Sequence, residues 1–316
     1  MVFRVGPLIL LALLVVGCAR GGADRLISAD RILADISYLS SDHFKGRACR
    51  SPEAQEAAAF IAARFAKAGL EPVAGGDGFF HGTADESMAP NVLGMRRGSG
   101  DEFVLISAHY DHLPLKSDGE DRIYNGADDN ASGTAAVLAI ADAMQQARMR
   151  TDASIIFIAF TGEEAGLRGS RFLAGKPPFA LARVRGMFNM DMISRGEPDL
   201  IFVDGGKEAG PLRDLLANEN RRLKIGLRLV MGTHPDWLAR SDQGPFIRRK
   251  VPAVLLSVED HADYHEVTDT ADRVLPELAK RVTRLVMAAA ITLAAEQRLA
   301  RRAAAAAGLK WDVWLL

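Results

Sequence analysis

The chain has 316 residues, enough for one large α/β domain or two small ones around a sizeable core. Hydrophobic residues at 48% and charged residues at 25% are ordinary for a folded globular protein. With 39 basic against 40 acidic residues the formal net charge is −1, so no global field draws the chain to nucleic acid or to an anionic membrane.

Residues 1–18 read as a leader. Arg4 supplies a positive start, and Leu8 to Val16 form an apolar run too short to span a bilayer in a mature protein. The run ends in Val15-Val16-Gly17-Cys18, which resembles a bacterial lipobox whose cysteine carries lipid and becomes the new N-terminus. A plain secretory leader with an incidental Cys18 fits the same run. Residues 19–26 then read as a short tether. The remaining cysteine, Cys49, has no motif around it and reads as a lone thiol without a catalytic role.

The first structured piece begins near Ile27. Ser51-Pro52 is an N-cap and first helical residue, and Gly69 a stop. Between them Ala58, Ile61, Ala62 and Phe65 keep the spacing of an amphipathic helix. The segment 72–90 is rich in Gly, Asp and Pro and reads as a surface loop. Phe103 to Ser107 is a compact apolar strand. Residues 131–147 form a helix with Ala135, Leu138, Ala139 and Met144 on its buried side. Ser154 to Phe160 is apolar on both parities, as in a central strand covered on both faces. Shorter strands are expected at Met187–Met190, Leu200–Val203 and Ala253–Val258. A long helix from about Pro276 runs into the Ala303–Ala307 tract. Helices alternating with apolar strands predict a single hydrolase-like α/β domain over 27–316, with a mixed, mostly parallel central sheet flanked by helices on both faces.

Five residues that could hold metal lie at strand ends or helix starts: His109, Asp128, Glu164, Asp191 and His265. In an open α/β sheet such positions converge on one crevice. Two imidazoles and three carboxylates there suit a pair of zinc ions sharing one carboxylate, and metal-assisted hydrolysis. Asp111 stands two residues past His109, where it could orient the imidazole. Asn125-Gly126-Ala127-Asp128-Asp129-Asn130-Ala131-Ser132-Gly133 puts two acids at a helix start, where they also serve as plain caps. Glu163-Glu164 directly follows the central apolar strand. Such a pair is tolerable if one glutamate binds metal and the other handles a proton. Asp191 sits between two methionines, and Tyr264, beside His265, could donate to an oxyanion.

The D-D-N-A-S-G, G-E-E and D-Y-H blocks in that order, with L-S-S-D-H-F-K-G-R from Leu39, resemble the co-catalytic dinuclear zinc aminopeptidases. These secreted bacterial exopeptidases are related to glutamate carboxypeptidase, the transferrin receptor and glutaminyl cyclase. The resemblance implies that His109, Asp128 and Asp191 hold one zinc, and Asp128, Glu164 and His265 the other, with Asp128 bridging. It implies Glu163 as general base, Asp111 as partner of His109, Tyr264 as oxyanion donor, and a cis bond between Asp128 and Asp129. The expected activity is removal of N-terminal residues from peptides, in the cell envelope through lipid on Cys18 (at the periplasmic side of an outer membrane) or after secretion. A glutaminyl cyclase-like acyltransferase and a metal-free binding protein of the same fold are the alternatives. The short segment 72–90 leaves no room for the protease-associated domain of many relatives. Ser241-Asp242-Gln243-Gly244-Pro245-Phe246 departs from their pattern in a loop expected to line the substrate pocket.

Overall fold

The computed structural model describes residues 22–73 and 76–306, so the leader and Cys18 lie outside the described residues. Its elements are α1 (Ala29–Leu39), α2 (Pro52–Lys67), β1 (Glu71–Pro72), β2 (Phe80–His81), β3 (Asn91–Arg96), β4 (Phe103–His109), α3 (Gly133–Gln146), β5 (Ser154–Phe160), α4 (Arg168–Gly175) and β6 (Val184–Met190). There follow β7 (Leu200–Gly205), α5 (Gly210–Leu223), β8 (Arg228–Met231), α6 (Gln243–Ile247), β9 (Ala253–Ser257) and α7 (Pro276–Ala306).

The strands form one sheet in the order β1-β3-β5-β4-β6-β9-β7-β8, with β2 paired to β3. The central strands β5-β4-β6-β9 are parallel. Antiparallel β3 and β7 extend this core on its two sides. The double-parity pattern of β5 has its expected cause. Ile155, Phe157 and Ala159 face the larger apolar layer, under α2, α3 and α7. Ile156, Ile158 and Phe160 face the smaller layer, with Leu173 of α4 and Phe246 of α6.

Two expectations need correction. Among the described residues, packing reaches back at least to Ala23 rather than Ile27: Ala23 is buried, and Arg284 of α7 donates to the buried Asp24 carboxylate at 2.6 Å, so 23–26 are fold and not tether. The sequence reading also missed β3. Gly94 interrupts its apolar pattern because a Cβ there would stand 2.8–2.9 Å from Leu70 and Phe65, where α2 presses on the sheet. Cys49 is buried, and that burial pushes its thiol up to about 11, which keeps it protonated.

Candidate metal centre

Four parallel strands deliver the site from their carboxyl ends, as expected for an open α/β sheet. His109 is the last residue of β4, and Asp191 follows β6 directly. Glu163 and Glu164 lie in the turn after β5, and Tyr264 and His265 in the loop after β9. The turn Ala127–Ser132 leads into α3. A cavity of about 60 Å³ opens here, with His109, Asp129, Glu163, Asp191, Tyr264 and His265 on one side. Met192, Trp237, Arg240, Ser241, Leu255, Ser257 and Asp260 complete its wall.

The carboxylate that stands between the two histidines is Asp129, not Asp128. Asp129 Oδ1 lies 3.3 Å from His109 Nε2, and Asp129 Oδ2 lies 3.2 Å from His265 Nε2. Asp128 points away from the cavity into a buried nest. Its Oδ1 accepts from the Ser194 backbone N–H and hydroxyl, both at 2.7 Å, and its Oδ2 stands 3.2 Å from His261 Nε2. The backbone sets this division. Asp269 accepts from the N–H groups of both Asp128 and Asp129, and Asp129 leaves helical geometry at φ −102°, ψ 96°. The cis peptide is likewise one position on, at Asp129–Asn130. Two adjacent acids cannot both face one crevice from such a backbone. The partner that claims Asp128 is 66 residues away and invisible to local pattern.

The other four ligand candidates come together. His109 Nε2 is 3.0 Å from Asp191 Oδ1, completing one group with Asp129. His265 Nε2 is 3.2 Å from Glu164 Oε2 and equally far from Asp129 Oδ2, forming a second group on the other oxygen of the same carboxylate. Sequence reasoning missed His112, whose Nδ1 lies 2.8 Å from Glu164 Oε1.

These groups fit metal on their own chemistry. His109 Nδ1 lies 3.1 Å from the Asp111 backbone carbonyl, which can only accept, so that nitrogen carries the proton. Nε2 then offers a lone pair toward two carboxylates, an arrangement that a shared cation satisfies. His265 Nε2 is buried without hydrogen-bond geometry to any described partner, although two carboxylate oxygens stand beside it. Without a cation the cluster must hold protons instead. Burial works against a charged His109, but Asp191 and Asp129 override it and raise the imidazole well above its usual range.

Glu163 lines the cavity, and burial first, then neighbouring carboxylates, raise its carboxyl well above the ordinary value. The expected Asp111 contact is modified. Its carboxylate is 3.8 Å from His109 Nδ1, whose bond goes to the Asp111 carbonyl instead. The Asp111 carboxylate accepts from the Glu163 backbone N–H at 3.2 Å, and burial raises it to about 7. Tyr264 stacks on His265 with ring centroids 3.9 Å apart, and burial pushes its phenol upward, keeping it a donor. Of the 241–246 segment only Ser241 lines the cavity, where it donates to Asp191 at 2.6 Å. Gln243 is buried against the Trp237 carbonyl, and Phe246 fills the smaller apolar layer.

Behind the site lies a fully buried cation, Arg47, the last residue of the L-S-S-D-H-F-K-G-R segment. The Arg47 guanidinium donates to the carbonyls of Leu39, Tyr110, Asn125 and Gly126 at 2.5–3.0 Å. Burial lowers it to about 10, so it remains charged beside the acidic cluster.

The chain is 34% identical over 152 residues to a probable zinc metalloprotease of Pyricularia oryzae, covering 43% of this chain and 30% of that protein. It is 33% identical over 107 residues to aminopeptidase YwaD of Bacillus subtilis, covering 33% of this chain and 21% of the other. The matches thus span less than a third of these relatives' own length. In fold it is similar to the Legionella pneumophila LapA aminopeptidase (TM-score 0.74, 20% identity, 87% of this chain and 74% of the other). It is also similar to BSAP, a zinc aminopeptidase from Bacillus subtilis (TM-score 0.70, 16% identity, 86% and 96%). The glutaminyl cyclase of Porphyromonas gingivalis shares the fold as well (TM-score 0.65, 16% identity, 84% and 98%). Residues 91–290, from β3 through the first half of α7, match the model of Peptidase family M28, and the chain belongs to that family.

Proposed function

We propose that this protein is a zinc-dependent aminopeptidase with two metal sites sharing one carboxylate. The observation that carries the proposal is Asp129, with one oxygen beside the His109–Asp191 pair and the other beside Glu164 and His265. His109, Asp129 and Asp191 would hold one zinc, and Asp129, Glu164 and His265 the other. Bound there, the metals would lower the pKa of a water and polarise the scissile carbonyl. Glu163 would take a proton from that water and return it to the leaving amine, so the proton count closes within one turnover. The Tyr264 hydroxyl would donate to the oxygen that gains charge as the carbonyl is attacked. Ser241 would keep Asp191 oriented, and Asp111 would hold the turn that carries Glu163.

The test combines metal analysis with a panel of aminoacyl chromogenic substrates and an N-terminal glutaminyl peptide. Near two zinc per chain and release of free N-terminal residues, abolished by N-acetylation of the peptide, support the proposal. Cyclisation of the glutaminyl peptide without hydrolysis, or binding of a single zinc at saturation, would overturn it.

We further propose that Cys18 carries lipid and anchors the enzyme in the cell envelope. The support is the Val15-Val16-Gly17-Cys18 end of the apolar leader. Stable anchoring takes more than one acyl chain. Cys18→Ser should move the protein from the membrane fraction to the soluble one, and a variant that stays with the membrane would refute the anchor.

A further inference from the structure

His112 belongs to none of the roles above, yet it touches the cluster directly. Its side chain is fully buried, with Nδ1 2.8 Å from Glu164 Oε1 and 3.7 Å from Asp129 Oδ2. Its other nitrogen, Nε2, has no hydrogen-bond partner among the described residues. The ring is held from the side by Gly126, where a Cβ would meet His112 carbons at 2.6–2.7 Å, so only glycine leaves room for it. The His265 ring meets it edge-on at 5.7 Å.

Glu164 is therefore divided between two histidines: His112 faces Oε1 and His265 faces Oε2. The last torsion of a glutamate is broad, so packing alone does not fix the tilt of the carboxylate plane. A hydrogen bond to one oxygen fixes that tilt and leaves the other oxygen facing the site. The tautomer with its proton on Nδ1 donates to Glu164 and leaves on Nε2 only an unused lone pair, less costly to bury than an orphaned N–H. An apolar ring of the same size would fill the space without that orphan, so packing does not account for a histidine here.

We infer that His112 is a positioning residue for the second metal site: its Nδ1–H holds Oε1 of Glu164 and so presents Oε2 alone toward Asp129 Oδ2 and His265. The inference rests on the two-site reading given above. It makes the second site's zinc affinity depend on a residue that is not itself a ligand, and leaves the His109–Asp191 site untouched.

The experiment is a zinc titration of the metal-free full chain against a chromophoric chelator, for the wild type, His112→Asn and His112→Leu. Asparagine keeps an N–H donor near the position of Nδ1, whereas leucine keeps apolar bulk and removes the donor. Partners of this kind around metal ligands are typically worth about 10–100-fold in affinity. We expect His112→Leu to weaken one of the two sites by that factor while the other keeps its wild-type affinity, and His112→Asn to restore most of the loss. Unchanged affinities in His112→Leu would overturn the inference. Equal weakening in both variants would also overturn it, since a direct ligand or a packing residue is not rescued by asparagine. Should His112→Leu fail to fold by circular dichroism, His112→Asn still decides: near-wild-type second-site affinity supports the inference, and a tenfold loss overturns it. Failure of the two-site reading itself would show separately, as a wild type that binds fewer than two zinc.

Discussion

Exchanging either acid of the Asp128-Asp129 pair for alanine separates two roles that adjacent residues play. Asp128→Ala removes the acceptor for the Ser194 backbone N–H and hydroxyl, each held at 2.7 Å, and for His261. The buried N–H has nowhere to turn, while the hydroxyl can rotate. An orphaned buried group costs about 1–3 kcal/mol. Asp128 also faces the Asp269 carboxylate and raises it, so removing it relieves some repulsion. The net expected loss is about 1–3 kcal/mol, or a melting temperature lower by roughly 2–12 °C for a domain of this size. Zinc stoichiometry should stay at the wild-type value. Asp129→Ala leaves the Ser194 nest intact but takes an oxygen from each metal group, so zinc affinity should fall by more than about 100-fold. Thermal denaturation of the metal-free chains, alongside elemental analysis after dialysis against buffered zinc, reads both effects. If Asp128→Ala strips the zinc and Asp129→Ala keeps it, the assignment of the bridging carboxylate is wrong.

Three further outcomes follow from the same geometry. Glu163→Gln should keep both zinc ions and lose about 10²–10⁴-fold in kcat, whereas Glu164→Gln should lose zinc from one site and recover part of its activity when zinc is added; steady-state kinetics with and without added metal separates them. Asp269 is raised to about 6, by burial first and then by Asp128, so in the metal-free protein its contribution to stability is full below about 3.8 and is lost as pH rises through about 6. Urea unfolding of wild type and Asp269→Asn should therefore show the wild type gaining of order 2 kcal/mol on the variant between pH 7 and pH 4, and a pH-independent difference would contradict this. Arg47→Met should destabilise by at least about 3 kcal/mol, because four buried carbonyls lose their donors beside an acidic cluster that loses its cation, and Arg47→Lys should rescue it only in part, since an ammonium cannot reproduce the planar fork; equal melting temperatures for all three chains would refute the account.

What was legible in the sequence was the layer plan and the chemical membership of the site. Period and parity marked β4, β5 and α7 because each buries a continuous apolar face. His109, Glu164, Asp191 and His265 stood out because charged groups directly after buried strands need partners. Local pattern failed where the deciding partner is remote. The choice between Asp128 and Asp129 depends on Ser194 and Asp269. Arg47 closes the L-S-S-D-H-F-K-G-R segment, but its bonds go to backbone carbonyls, so no side-chain partner signalled its role. His112 was one residue past the Asp111 that drew attention, and its partner Glu164 comes from another strand. For β3, the glycine that broke the pattern is the residue that lets α2 sit close.

The carbonyls that Arg47 collects belong to chain segments far apart in sequence: the end of α1, the turn after β4 and the approach to α3. Its segment precedes residue 91, where the family match begins. The boundary drawn by similarity is therefore not the boundary of the smallest piece that can build the site. A fragment cut at residue 91 would carry His109, Asp129, Glu163, Glu164, Asp191 and His265. It would lack Arg47, which hydrogen-bonds both the loop after His109 and the loop before Asp129. In this protein a stretch ahead of the family match ties down the loops that carry the chemistry downstream.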